Sequence, residues 1–285
     1  MDIERKIAGL IRKTASTLPR DVLQALEAAA RREAKGSAGR MVLETLLRNE
    51  ALAARQGTPM CQDTGTLTFF VDERLRDAVT PEAIGRAVAF ATEKGWLRRN
   101  TIDSVTGRSV DSNVCEGAPV VHVVPSRGKA PTVTLLMKGG GSENMSRQYS
   151  LPDASLGAGR DLEGVRRCVL DAVHRAQGYG CAPGILGVCV GGDRAEGFAA
   201  AKRQLLRPLD DTNGTAALAA LERRVLKEAN ALGIGPMGLG GKTTLLGVKI
   251  GSLPRVPASF FVTVAYMCWA LRRRTLRFAR KEARP

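Results

Sequence analysis

One glycine-rich segment constrains the fold of this 285-residue chain more than any other feature of its sequence. Residues 233–244 read GIGPMGLGGKTT, and the end of this segment matches the Gly-Lys-Thr of a phosphate-binding loop. Such a loop needs glycine where Pro236 stands, and proline has no N–H to donate. A phosphate loop also runs from a strand into a helix, whereas residues 217–230 are typical of a helix and 245–250 of a strand. The segment therefore predicts a tight backbone scaffold and not a nucleotide site.

Three further segments place glycine and polar residues at the ends of apolar strands. They are residues 59–66, 138–146 and 179–184. Any one of them alone is explained as a tight turn, but several together indicate loops that approach one bound ligand closely.

The rest of the pattern predicts a mixed α/β protein with a helical N-terminal region. The expected helices are 2–16, 20–35, 38–55, 81–98 and 162–177; the expected strands are 66–71, 120–124, 132–137 and 184–190. Strands 120–124 and 132–137 are expected to form a hairpin through the turn residues between them. No linker or repeat is evident, so we expect one domain over residues 1–285, with a basic tail at 272–285.

Composition excludes several classes of protein. The net charge of +15 suits a nucleic-acid partner, but aromatic residues are only 4% and no nucleic-acid motif is present, so that partner is not expected. A basic surface also raises the local concentration of small dianions. The chain starts without a signal-peptide core, and the apolar run 258–271 is too short to span a bilayer. We therefore expect a cytoplasmic protein that does not enter a membrane.

The six cysteines are expected to be either buried small side chains or metal ligands. A cytosolic chain of this length does not use a disulfide framework. None of them forms a Cys-x-x-Cys pair, so zinc-ribbon and ferredoxin-type spacings are absent.

Four motifs give the chain a family resemblance. Cys61–Gly65, Gly139–Asn144, residues 233–244 and Cys268–Trp269 occur in this order over about residues 40–275. The chain thereby resembles the alpha chains of class I fumarate hydratases and L-tartrate dehydratases, which are iron–sulfur hydro-lyases. The glycine motif is highly specific to that family, where it belongs to the active-site scaffold.

The resemblance implies a 4Fe-4S cluster bound by Cys61, Cys181 and Cys268. Three thiolates on a cubane leave one iron open to a substrate, whereas four are typical of electron transfer. Cys168 falls in a predicted helix and Cys189 in a predicted strand, which indicates that both are buried side chains.

The resemblance also implies reversible removal of water from a 2-hydroxy dicarboxylic acid, malate to fumarate or tartrate to oxaloacetate. The open iron acts as a Lewis acid toward the leaving hydroxyl. The implied substrate-site residues are Gln62, Asp63, Arg98 and the backbone N–H groups of Gly139, Gly140 and Gly141. An arginine suits a carboxylate because its fork donates two parallel hydrogen bonds. The alternative for Arg98 is a surface charge at a helix end, with Arg99 as the residue that points inward.

In this family the catalytic base lies in a beta domain, which is either fused or a separate chain. The resemblance therefore implies that this chain works with a beta subunit, as a heterodimer or an α2β2 assembly, and is inactive alone. The alternative function is a cluster-binding regulator or degenerate scaffold with a basic nucleic-acid-binding surface.

One position departs from the family pattern. Val256 stands where the family has a histidine that is thought to partner the aspartate at Asp63. Valine cannot exchange a proton, so Asp63 needs another partner, such as Arg255, or works unassisted. The sequence thus predicts either weak hydratase activity with an altered pH profile or a different substrate.

Overall fold

The chain folds into two compact units in a computed structural model that describes residues 3–126 and 128–279. Unit 1 combines the segment up to residue 19, residues 48–140 and the segment from residue 272 onward. Unit 2 combines Arg20–Leu47 and Gly141–Leu271. The mixed α/β class is confirmed, while the predicted single domain stays a prediction.

The described chain begins with three helices, and strands and helices are interspersed along the rest of it. The helices are α1 (Ile3–Ser16), α2 (Arg20–Arg32), α3 (Ala38–Gln56), α4 (Pro81–Glu93), α5 (Gly140–Asn144), α6 (Leu162–Ala176), α7 (Arg194–Gln204) and α8 (Ala216–Ala231). The strands are β1 (Thr66–Asp72), β2 (Thr101–Ile102), β3 (Ser109–Val110), β4 (Val120–Val124), β5 (Thr132–Lys138), β6 (Arg147–Ser150), β7 (Gly184–Gly191), β8 (Leu245–Leu253), β9 (Phe261–Met267) and β10 (Arg272–Arg277).

The main sheet of unit 1 has the strand order β10-β5-β1-β4. Strand β1 pairs parallel with β4 and antiparallel with β5, so it separates the two strands that were expected to form a hairpin. The hairpin prediction is wrong because β1, which is largely buried, pairs with β4 along one edge and with β5 along the other. The turn residues between β4 and β5 do not reveal this insertion.

Helices α1 and α4 cover this sheet with apolar side chains. On α1, Ile7, Leu10 and Ile11 recur at helical spacing and are buried in the core of unit 1. Helix α4 begins at a capped turn in which Thr80 Oγ1 accepts from Ala83 N–H. It ends at Glu93 and not at Arg98 as predicted, because Gly95 takes φ 69° directly after the last turn.

The main sheet of unit 2 has the order β6-β9-β7-β8, with β7 and β8 parallel and the other pairs antiparallel. Every residue of β7 is buried, as its continuous apolar sequence predicts. Helices α6, α7 and α8 contact this sheet. The core of unit 2 forms between the sheet and α6 and α8.

The predicted basic tail begins as a strand. Residues 272–277 pair with β5, and Arg272 at the start of β10 is only 1% exposed. Residues 280–285 of that predicted tail lie outside the described residues. No described helix combines the length and apolarity that a membrane crossing requires.

Candidate functional site

The loop Cys61–Gly65 leads into β1 in unit 1 and is anchored at its start. Met60 N–H donates to Ala15 O at 3.0 Å, and Asn49 Nδ2 donates to Met60 O at 2.8 Å. Within the loop, Asp63 N–H points at Cys61 Sγ, 3.4 Å away. This contact between the backbone and the sulfur fixes the orientation of the Cys61 side chain.

Asp63 lies among groups from three other segments of unit 1. Asn100 Nδ2 donates to Asp63 Oδ1 at 3.1 Å, and Arg272 Nη2 donates to Asp63 O at 2.8 Å. A Cβ built on Gly139 would lie 2.7 Å from Asp63 Oδ2, so a side chain there would displace the carboxylate. The predicted residues Asp63 and Gly139 are therefore neighbours. Sequence reasoning missed Asn100 and Arg272.

Arg98 is exposed, and its backbone holds the Asp63 loop. Thr64 Oγ1 donates to Arg98 O and accepts from Arg98 N–H, both at 2.9 Å. No acceptor in the described ranges hydrogen-bonds the Arg98 guanidinium. Arg99 instead pairs with Asp111 at 3.5 Å, and both side chains are exposed.

A cavity of about 300 Å³ lies in unit 1 beside these residues. Its lining includes Gly65, Asn100, Asn113 and Gly140. Asn113 is 1% exposed, and its Oδ1 accepts from the N–H groups of Asn100 and Thr101 at 2.8 and 2.9 Å. The cavity wall that holds Asn100 is thus fixed by buried hydrogen bonds.

The other two predicted ligands lie in unit 2. Cys181 is exposed and has φ 54°, and Cys268 follows β9 and is 9% exposed. Trp269 N–H donates to Cys181 O at 3.2 Å, so the segment that carries Cys268 is bonded to the Cys181 loop.

The glycine motif supports the Cys181 loop from another direction. Met237 N–H donates to Ala182 O at 2.9 Å, and a Cβ on Gly178 would lie 2.4 Å from Gly238 N. Gly235 has φ 70°, and a Cβ there would come within 2.2 Å of the Gly240 carbonyl. The motif therefore folds back on itself and packs against the cysteine loop.

The same motif cannot hold a phosphate in the manner of a nucleotide loop. Lys242 N–H donates to both carboxylate oxygens of Glu33, at 2.9 and 3.0 Å. A carboxylate at this N–H repels a phosphate. Helix α8 precedes the motif and β8 follows it, which confirms the predicted order.

Tyr266 on β9 is fully buried next to the two cysteine segments of unit 2. Its ring lies against Gly180 and Gly184, on either side of Cys181. Its hydroxyl is buried and has no hydrogen-bond partner among the described residues. Burial raises the pKa of this phenol, and the thiols of Cys268 and Cys181 raise it further, so the group stays protonated.

The remaining three cysteines lie in a helix, a strand and a tight turn. Cys168 is buried in α6 and Cys189 in β7, and burial raises the thiol pKa values to about 12 and about 11. Cys115 is exposed in a tight turn of unit 1, bonded through its backbone to Ala118. No disulfide joins any of the six cysteines, all of which are described.

Arg255 and Val256 lie in an exposed loop of unit 2. Val256 is 65% exposed. Arg255 Nη1 donates to three carbonyls of its own loop, including Pro257 O at 3.1 Å, and its guanidinium stacks over Phe260 at 4.6 Å. The suggested pairing of Arg255 with Asp63 stays a prediction; within unit 1, Asn100 donates to the Asp63 carboxylate. Gly141, in α5, has no atom within 4 Å of an added Cβ.

The described residues include the kinds of side chain that hold an iron–sulfur cluster. Over the described ranges, no group of three or more His, Cys, Asp or Glu side chains is arranged to hold one ion. Thiols on glycine-supported loops and an orphaned buried hydroxyl beside two of them are consistent with such a cluster.

These observations define a mixed α/β protein whose glycine-supported loops present cysteine and aspartate side chains. The family model described as fumarate hydratase (fumerase) matches residues 4–277. The chain belongs to the fumarate hydratase family.

Individual relatives agree with this assignment. The chain is 47% identical over 269 residues to a protein of Geobacillus stearothermophilus provisionally named fumarate hydratase class I. That match covers 93% of this chain and 52% of the relative, so the chain spans about half of the length of that protein. It is 32% identical to a provisionally named L(+)-tartrate dehydratase subunit alpha of Methanocaldococcus jannaschii, over 96% of each. It is 30% identical to L(+)-tartrate dehydratase subunit alpha of Escherichia coli K12, over 95% of this chain and 88% of the relative.

Proposed function

We propose that this chain is the alpha subunit of a 4Fe-4S-dependent hydro-lyase that reversibly dehydrates a 2-hydroxy dicarboxylic acid, either malate to fumarate or tartrate to oxaloacetate. The observation that carries the proposal is the loop in which Asp63 N–H points at Cys61 Sγ while Asn100 holds the Asp63 carboxylate. This loop presents a thiolate and an acid–base group two residues apart. Names of relatives with both activities support the same reaction class.

The proposed ligands of the cluster are Cys61, Cys181 and Cys268. When bound, the cluster supplies a Lewis-acidic iron that makes the substrate hydroxyl a better leaving group.

We assign the residues of the substrate site three tasks: they bind the substrate, orient it and transfer a proton. Arg98 forms parallel hydrogen bonds with one substrate carboxylate, since its guanidinium is exposed and its backbone is fixed. The Gln62 amide and the N–H groups of Gly139, Gly140 and Gly141 orient the rest of the substrate. Asp63 takes up or holds a proton at its carboxylate, which Asn100 keeps in one orientation.

The proposed partner is a beta chain, in a heterodimer or an α2β2 assembly. The chain spans about half of the Geobacillus relative, and relatives of similar length are named alpha subunits. The proposed location is the cytoplasm, where cysteines that form no disulfide stay reduced.

The test is anaerobic reconstitution of the chain with iron and sulfide, followed by assays of malate and L-tartrate dehydration with and without a co-expressed beta chain. We expect a cluster on the chain alone and activity only with the beta chain. A cluster without activity on any dicarboxylate, together with tight nucleic-acid binding, would support the regulator instead.

Cysteine variants test the ligand set. Cys61→Ser, Cys181→Ser and Cys268→Ser are each expected to abolish the visible absorbance of the cluster, because two protein thiolates do not hold a cubane firmly. Cys168→Ser and Cys189→Ser are the matched controls and are expected to retain it, since both thiols are buried within α6 and β7. Full absorbance in Cys181→Ser would refute this ligand assignment.

A further inference from the structure

Arg272 is a buried cation that has no ion-pair partner among residues 3–126 and 128–279. It is 1% exposed and is the largest of the fully buried side chains in the described chain. Its one hydrogen bond to the described residues runs from Nη2 to the carbonyl oxygen of Asp63, at 2.8 Å. No described carboxylate pairs with it, and its Nε is buried without any acceptor. A buried charge without compensation is strongly destabilising, so this guanidinium calls for an anion.

The fold places Arg272 at the edge of unit 1 where the site residues gather. Arg272 opens β10 opposite Met137 of β5, and Met137 also pairs with Leu67 of β1. The Asp63 loop enters β1 at this edge, and β5 leaves it toward Gly139. A positive charge here lies beneath the loop that carries Cys61.

We propose that Arg272 is a positioning residue that supplies the buried counter-charge for the anionic, thiolate-ligated cluster at the Cys61–Asp63 loop. This inference rests on the proposed function. Arg272 holds the Asp63 backbone through one branch of its fork, while its charge offsets the negative charge of the ligating thiolate and the cluster. It touches neither substrate nor reacting atoms in this role.

The positive charge of Arg272 is expected to change the reduction potential of the cluster in a definite direction. A nearby cation favours the reduced, more negative form, so removal of the cation shifts the reduction potential to more negative values. Loss of a second-layer partner of a metal site lowers metal affinity by about 10- to 100-fold. In the cluster-free chain the same charge is uncompensated, and a neutral residue of similar size is tolerated or stabilising.

The experiment compares Arg272→Gln, Arg272→Lys and the wild-type full chain, each with and without reconstituted cluster. Arg274→Gln is the matched control, because Arg274 lies two residues further along the same strand and donates to Thr17 Oγ1 at 2.6 Å and not to the Asp63 backbone. The readouts are the thermal midpoint of the cluster-free chain, iron retention against a chelator, and the reduction potential of the cluster.

We expect Arg272→Gln to leave the thermal midpoint of the cluster-free chain unchanged or higher, to lose iron about 10- to 100-fold more readily, and to shift the potential to more negative values. Arg272→Lys keeps the charge and should keep the potential. Arg274→Gln should retain iron and potential as wild type does.

Two results would overturn this inference without affecting the proposed function. In the first, the wild-type chain loads a cluster, and Arg272→Gln retains iron and keeps the reduction potential equally well. In the second, the cluster-free Arg272→Gln chain is destabilised, which indicates a structural role. A wild-type chain that takes up no cluster would instead refute the proposed function, and the inference would fail with it.

Discussion

Asp63 is held by an amide where the family pattern has a histidine. Asn100 donates to Asp63 Oδ1, and its own backbone is fixed by the buried Asn113. An amide orients a carboxylate but does not exchange protons at neutral pH, so Asn100 fixes geometry without relaying a proton. Of the two histidines, His122 stacks on Phe70 in unit 1 and His174 lies in α6 of unit 2. Among the described residues of unit 1, no imidazole hydrogen-bonds Asp63.

Asn100→Asp is expected to move the acid limb of the rate–pH profile upward in pH. The substitution places a second carboxylate about 3 Å from Asp63, and two carboxylates this close do not both ionise at the pH that suffices for one. Activity would then be lost at a higher pH as the solution is acidified. The measurement is kcat/KM against pH for the reconstituted alpha–beta pair. An unchanged profile in Asn100→Asp would show that Asn100 does not orient Asp63.

At the scale of elements, the glycine motif acts as a support for a cysteine loop. Its residues bond to Ala182 and pack against Gly178, on either side of Cys181 in the sequence. The density of glycine therefore reflects backbone packed on backbone, where no side chain fits.

Gly235→Ala is expected to lower both stability and cluster retention. Gly233 and Gly235 have nearly the same φ, 69° and 70°. A Cβ added at Gly233 would have no atom within 4 Å, whereas a Cβ added at Gly235 would collide with the Gly240 carbonyl. Gly233→Ala should cost about 1–2 kcal/mol from backbone strain alone. Gly235→Ala should cost more and release iron faster, because the loop must open beneath Cys181. Equal free energies of unfolding for the two variants, measured in denaturant, would contradict the packing role.

The sequence predicted elements with strong local patterns and missed those that depend on distant partners. The buried run of β7 and the amphipathic helices α1 and α6 lie within a residue or two of their predicted bounds. The β4–β5 hairpin failed because the insertion of β1 between them is set by burial and not by turn residues. Asn100 and Arg272 were missed because they lie outside the motifs. Arg272 looked like part of a basic tail, since burial of one arginine in a run of three leaves no sequence signal.

At the scale of the whole molecule, the net charge of +15 has a kinetic consequence. A basic surface attracts a dianionic substrate, and salt shortens the range of that attraction from about 30 Å at 0.01 M to about 8 Å at 0.15 M. We expect kcat/KM for malate or tartrate to fall as ionic strength rises, with little change in kcat. Steady-state assays of the alpha–beta pair over this range test the expectation. A kcat/KM that does not depend on salt would show that the surface charge does not steer the substrate.

Because unit 1 is built from separate segments of the chain, its sheet can be completed only late in protein synthesis. Strand β10 completes the sheet of unit 1, but the ribosome makes it only after all of the Gly141–Leu271 segment of unit 2. At ordinary translation speeds, β5 waits on the order of ten seconds as an unpaired edge. An open edge recruits other strands, so nascent chains are most exposed to aggregation in this interval. Slower translation or colder growth would lengthen the interval, and the yield of folded protein would depend on how fast residues 272–277 follow.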